Sequence, residues 1–225
     1  MKNISFKNYL LFPRYIKCEK INWLHFFKIF IVSSVVTMIL SSIAYFLKDQ
    51  LHIEHNVPKH NLMLVLHAVV WAPIMEEIWF RLLLRPTNRN LRFFIGLSIL
   101  GSVYVFFKAA FITGTIVIIA GTLAGFILKE KKSSRVKLLR KYFKFYPVIY
   151  YFIVLLFGLV HLMNFNYGDL ELWMYMMLPI LIFPQLYAGI VLGYIRMRYG
   201  ILYSILYHTL NNLIPLIPFI LSAIK

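Results

Sequence analysis

Glu76 and Glu77 are two of only eight acidic residues in 225, and they fall inside an apolar run from about Asn61 to Leu84. The stretch reads Glu76-Glu77-Ile78-Trp79-Phe80-Arg81. An ionised side chain at bilayer depth costs at least ~2.5–3.5 kcal/mol on insertion scales, so such groups face the protein interior and need partners. On a helix Glu77 and Arg81 stand at i, i+4 and share a face. Glu76 lies about 100° round from Glu77 and points elsewhere. The pair therefore reads as one braced carboxylate and one available carboxylate. The plain alternative is an ion pair that only fixes helix packing.

Two later apolar runs carry matching polar groups. His161 lies in the run 146–164, and His208 and Asn212 lie in 199–223 at a spacing that puts both on one helix face. Each is deep enough in its run to need a buried partner or a water-lined cavity. The chemistry such a set can do is hydrolysis. A carboxylate acts as general base toward water, and a neutral histidine beside it positions that water. A second histidine and an amide on one face can donate to an oxyanion, each donor contributing roughly 10²–10³ in rate.

A covalent route has less support. No G-x-S-x-G occurs, and the single cysteine, Cys18, lies far from the cluster. No cofactor is expected. Zinc is the open alternative, because glutamate and histidine from three helices could assemble a site, although H-E-x-x-H and cysteine pairs are absent. His67 sits nine residues before Glu76, which on a regular helix is about 900° and faces it away. His52, His55 and His60 read as solvated loop residues with at most weak metal binding, and Lys108 as the end of a helix.

Composition indicates what must hold these groups. The chain is 61% hydrophobic and 17% aromatic, with 14% charged residues and a mean hydropathy of +0.75. A soluble domain carries far more charge. Repeated long apolar runs, without the short alternating segments of a barrel, indicate an all-α polytopic transmembrane bundle of about seven spans. They fall near 26–47, 61–84, 93–107, 109–128, 146–164, 172–195 and 199–223. Residues 1–25 form a basic, aromatic, cytoplasmic or interfacial segment interrupted at Pro13. Residues 26–225 form the membrane domain, with the site-bearing core at about 61–215.

The formal charge of +16 is spread between apolar runs, which argues for membrane lipids and against nucleic acid as a partner. With the N-terminus inside, nearly all Lys and Arg fall on one side, leaving Lys48, Lys59, Lys108 and Lys225 outside. The loop 129–144 holds eight Lys or Arg and one Glu. It reads as a topological anchor, with lipid or partner recognition as the alternative. One cysteine excludes an intramolecular disulfide. The oligomeric state stays open.

The stretch 76–81 fits EExxxR, Phe157–His161 fits FxxxH and His208–Asn212 fits HxxxN. In this order, each within an apolar run, they resemble the three motifs of the CAAX protease and bacteriocin-processing family of intramembrane proteases. That family includes the type II CAAX prenyl endopeptidases. The resemblance covers about two thirds of the chain and leaves 1–60 aside. It implies that Glu76 and His161 activate the hydrolytic water, that His208 and Asn212 form the oxyanion site, and that Glu77 and Arg81 organise the first motif. It also implies a glutamate-dependent mechanism and a peptide or membrane-protein substrate.

In the family the first two motif helices usually follow each other, whereas here a hairpin at 93–128 intervenes. Two inserted helices preserve the direction of every later span. The short chain looks more like bacterial members, which implies the bacterial cell (inner) membrane and roles in peptide processing, bacteriocin self-immunity or scaffolding. A non-enzymatic immunity or adaptor protein that keeps the cluster for packing is the rival reading. A transporter using the buried carboxylates is a second.

Overall fold

The computed structural model describes residues 5–55, 62–107, 111–167 and 171–223. Lys59, His60, Lys108 and Lys225 lie outside them. Helix α1 (Phe6–Leu11) opens at Ser5, whose hydroxyl accepts the Asn8 N–H at 3.3 Å. It stops ahead of Pro13, since a residue before proline is biased out of the helical region. Helix α2 (Trp23–Gln50) is capped by the Asn22 side chain, which accepts the His25 N–H at 3.0 Å. At 1.5 Å per residue its 28 residues exceed the roughly 30 Å of a hydrocarbon core. Ile31, Val32, Val35, Met38 and Ile39 stay exposed along it, as a lipid-facing surface requires.

The next helical stretch carries the carboxylates. It comprises α3 (Leu62–Leu66), a π turn (His67–Trp71), α4 (Ala72–Arg81) and a 3₁₀ turn (Leu82–Leu84). Pro73, in the first turn of α4, lacks an N–H, and its ring would clash with a carbonyl four residues back. The wider turn, closed by the Ala72 N–H on the His67 carbonyl, accommodates it. This alters one expectation. The half-turn offset of His67 from Glu76 assumes a regular helix, and the π turn breaks that register; His67 is exposed.

Helices α5 (Asn88–Phe107) and α6 (Phe111–Lys129) form the intervening hairpin, followed by α7 (Lys132–Lys144) and α8 (Tyr146–His161). Gly121 lies so close to Ser98 that a Cβ there would meet the serine Cβ at 2.6 Å. Leu91, Phe94 and Ala124 build a separate small core with Leu82 on the flank that carries Ile78 and Trp79. The hairpin therefore sits beside α4 and leaves α4 packed directly on α8, with the Phe80 and Phe157 rings 5.3 Å apart. After α8, strand β2 (Phe165–Asn166) pairs antiparallel with β1 (Glu54–His55).

A 3₁₀ turn (Leu172–Met177), α9 (Leu178–Leu181) and α10 (Phe183–Tyr199) follow. Helix α10 is the centre of the bundle: every residue from Val191 to Met197 is buried. It packs against α8 and α2 and, through Gly200, turns into α11 (Ile201–Leu213). Gly200 has φ +105°, a conformation that favours glycine. A 3₁₀ turn (Ile214–Leu216) and α12 (Ile217–Ala223) complete the described chain.

Among the described residues four stretches are long and apolar enough to cross a membrane: Trp23–Gln50, Met63–Leu84, Tyr146–Asn164 and Leu172–Tyr199. The three further expected spans fall on α5, α6 and the α11–α12 pair. The architecture is an all-α, polytopic helical bundle, and the protein is an integral membrane protein.

Candidate active site

Helices α4, α8 and α11 each bring one polar face to the same place. On α4, Glu77 and Arg81 are buried at 0% and 1% exposure, and their charged groups approach to 3.6 Å one helical turn apart. The Arg81 guanidinium also lies over the Phe157 ring, 3.8 Å from its centroid, a cation–π contact that a desolvated site strengthens. Gly189 of α10 leaves room for both: a Cβ there would meet Phe157 at 3.1 Å and Arg81 at 3.5 Å. Arg196 of α10 holds the carbonyl of Arg81 with its Nε at 3.1 Å.

From α11, two side chains one turn apart engage Glu77. His208 places Nδ1 3.1 Å from Oε1, and the Ser204 hydroxyl reaches Oε2 while lying 3.0 Å from the Leu192 carbonyl. Glu77 therefore has an ion pair and two hydrogen-bond partners, as a buried carboxylate requires.

Glu76 differs. It is 28% exposed as a side chain, yet its Oε2 atom is buried without a hydrogen bond to the protein. That oxygen lies 3.6 Å from His208 Nε2 and 3.9 Å from His161 Nε2. The tautomers follow from the other ring nitrogens. His161 Nδ1 sits 2.7 Å from the Phe157 carbonyl and must donate to it. His208 Nδ1 faces a carboxylate and must donate as well. In the neutral rings both Nε2 atoms are then bare acceptors aimed at an acceptor oxygen. Such a trio is favourable only with a proton, or a proton-bearing molecule, among the three. A water about 2.8 Å from both Glu76 Oε2 and His161 Nε2 would subtend roughly 90° between them.

Phe157 is the packing hub beneath the site. Its ring meets His161 at 4.7 Å and His208 at 6.0 Å, both edge-on, in addition to Arg81 and Phe80. Asn212 donates its amide Nδ2 to the carbonyl of Ala68, at 3.0 Å, in the π turn. One of its two N–H groups is thus committed to holding α11 against the turn ahead of α4.

All six expected residues lie on these three helices, and Glu76, Glu77, Arg81, His161 and His208 form one connected cluster. Asn212 joins it through the backbone of Ala68. Ser204, Gly189 and Arg196 were not singled out from the sequence. The i, i+4 spacing of Ser204 and His208 was the available signal for the first. The other two depend on which face of α10 meets α4, a tertiary fact. Among the described residues no group of three or more His, Cys, Asp or Glu is arranged to hold a metal ion.

Residues 58–214 match the profile described as Type II CAAX prenyl endopeptidase Rce1-like. No curated protein and no solved structure matches the chain. The matched segment runs from ahead of the glutamate helix to the end of the His208 helix, well over half of the sequence, and takes in each of the three motifs. The chain belongs to the Rce1-like family of type II CAAX prenyl endopeptidases.

Proposed function

We propose that the protein is an intramembrane endopeptidase that hydrolyses a peptide bond of a peptide or membrane-protein substrate near the cytoplasmic face. The observation that carries this reading is the Glu76 Oε2 atom, buried without a protein hydrogen bond and facing Nε2 of both His161 and His208. A water there gives one proton to Glu76 as its oxygen attacks the scissile carbonyl, with His161 Nε2 accepting its second hydrogen as a hydrogen bond and fixing its direction. The carbon–oxygen bond forms, the carbonyl oxygen takes the charge, and Glu76 then passes its proton to the leaving nitrogen as the C–N bond breaks.

His208 serves the oxyanion, donating to it from Nε2 when that nitrogen carries a proton. Its Nδ1 is held by Glu77, which fixes the ring with Nε2 facing the site. The second N–H of Asn212 supplies the other donor. Glu77 and Arg81 act as positioning residues. In this reading no metal takes part, the membrane is the bacterial cell membrane and the N-terminus is cytoplasmic.

The test compares new peptide termini in membranes from host cells making wild type or Glu76→Gln at equal abundance. Termini present with wild type and lost with the variant are expected, at a loss of at least about 10²-fold. Identical termini from both would overturn the hydrolytic role and favour the adaptor reading.

A further inference from the structure

We propose that α7 is a binding helix for anionic phospholipid, lying along the membrane surface beside the C-terminal end of the glutamate helix. This inference does not rest on the proposed hydrolysis. The three sides of α7 carry it. At 100° per residue, Arg135, Leu138, Leu139 and Tyr142 fall in one arc of about 100°, and all four are partly buried against the protein. The Tyr142 hydroxyl donates to the Leu83 carbonyl at 2.9 Å, and Arg135 donates to the Asn88 side chain at 2.9 Å. Burial pushes the Tyr142 phenol above its usual range, so it remains a donor. This side is fixed.

Next round the helix, Val136 and Phe143 form an exposed apolar stripe at i, i+7, with 43% and 40% of their surface accessible. Phe143 keeps that exposure although Tyr15 packs edge-on against it. Phe145, at the end of α7, is 53% exposed. The third arc, continuous with this stripe, carries Lys137, Arg140, Lys141 and Lys144, all exposed. In water alone the apolar stripe has no reason to sit beside four cations. At a bilayer surface the arrangement is self-consistent: the stripe enters the acyl boundary, and the long basic side chains reach headgroup phosphates.

The position of α7 fits that occupant. A single residue, Phe145, is both the C-cap of α7 and the N-cap of α8. Helix α8 begins the apolar stretch Tyr146–Asn164. The basic helix is therefore held at the membrane boundary by the chain itself, on the side where most Lys and Arg lie. Clusters of four to eight Lys or Arg at such a place recognise anionic headgroups over zwitterionic ones.

The test uses the full chain in nanodiscs, with an environment-sensitive dye on Val136→Cys in a Cys18→Ser background. Discs of phosphatidylcholine alone are compared with discs containing a minor share of phosphatidylglycerol, and quenching by acrylamide, a neutral aqueous quencher, is read. Quenching is expected to fall at least about twofold when phosphatidylglycerol is present. The fall should vanish when Lys137, Arg140, Lys141 and Lys144 are all changed to Gln. Equal quenching in the two lipids, using the native basic residues, would overturn the proposal whatever the variant does. Shielding by soluble polyglutamate in neutral discs but not by phosphatidylglycerol would also overturn it, and would make α7 a site for an acidic protein.

Discussion

Ser204 has one proton and two acceptors within reach, Glu77 Oε2 and the Leu192 carbonyl. Ser204→Ala deprives a fully buried carboxylate of one donor, which costs about 1–3 kcal/mol. The expected outcome is a lower thermal midpoint in detergent; an unchanged midpoint would mean that the hydroxyl serves Leu192 alone. Arg81→Met is more severe, at roughly 3–5 kcal/mol, because it leaves the Glu77 charge buried without its cation. The double variant Arg81→Met with Glu77→Gln should recover part of that loss. A double-mutant cycle on the same midpoint measures the recovery, and strict additivity would contradict the pairing.

At the scale of elements, the legible parts were those with local periodicity. Carboxylate, arginine and histidine positions at i, i+4 announced shared faces on α4 and α11, and apolar run lengths announced helices. The π turn was not legible as such, because a widened turn leaves no apolar pattern of its own; Pro73 was its only mark. The packing of α10 was also beyond reach. Gly189 and Gly193 look alike in sequence, yet the first clears space for Arg81 and Phe157 and the second for the Tyr150 ring, 2.6 Å from where a Cβ would sit.

The N-terminal segment shows how one arginine ties elements together. Arg85, just past the glutamate helix, donates through Nη2 to the carbonyls of Ile16 and Met197, both no more than 2.7 Å away, and packs over Tyr15 at 5.2 Å. Arg85→Ala should free residues 12–20 from the bundle. Limited proteolysis is expected to cut that stretch several-fold faster, and an unchanged cleavage rate would show that Tyr9 and the Glu19–Arg198 pair hold it unaided.

For the whole molecule, orientation and metal use are directly accessible. Cys18 is the single cysteine and is exposed. In sealed cells an impermeant maleimide should leave it unlabelled, and inverted vesicles should label it; the opposite pattern would reverse the proposed topology. Prolonged treatment with a zinc chelator should leave peptide-terminus production within about twofold of untreated membranes, since no step assigned here needs a Lewis acid. Abolition that is restored by added zinc would require a metal among these side chains.

The sequence separation within the site has a consequence for biogenesis. Glu77 and His208 are 131 positions apart, so at about 5–20 residues per second a ribosome needs on the order of ten seconds to supply the imidazole. Throughout that interval the glutamate has already entered a membrane-destined helix. Its local companion Arg81, one turn away, travels with it and neutralises it during insertion. The hydrogen-bonding set is assembled only when α11 docks. Under the proposed hydrolysis, cleavage competence would therefore arrive late in synthesis, and the nascent chain and its neighbours at the translocon would never face a half-built site.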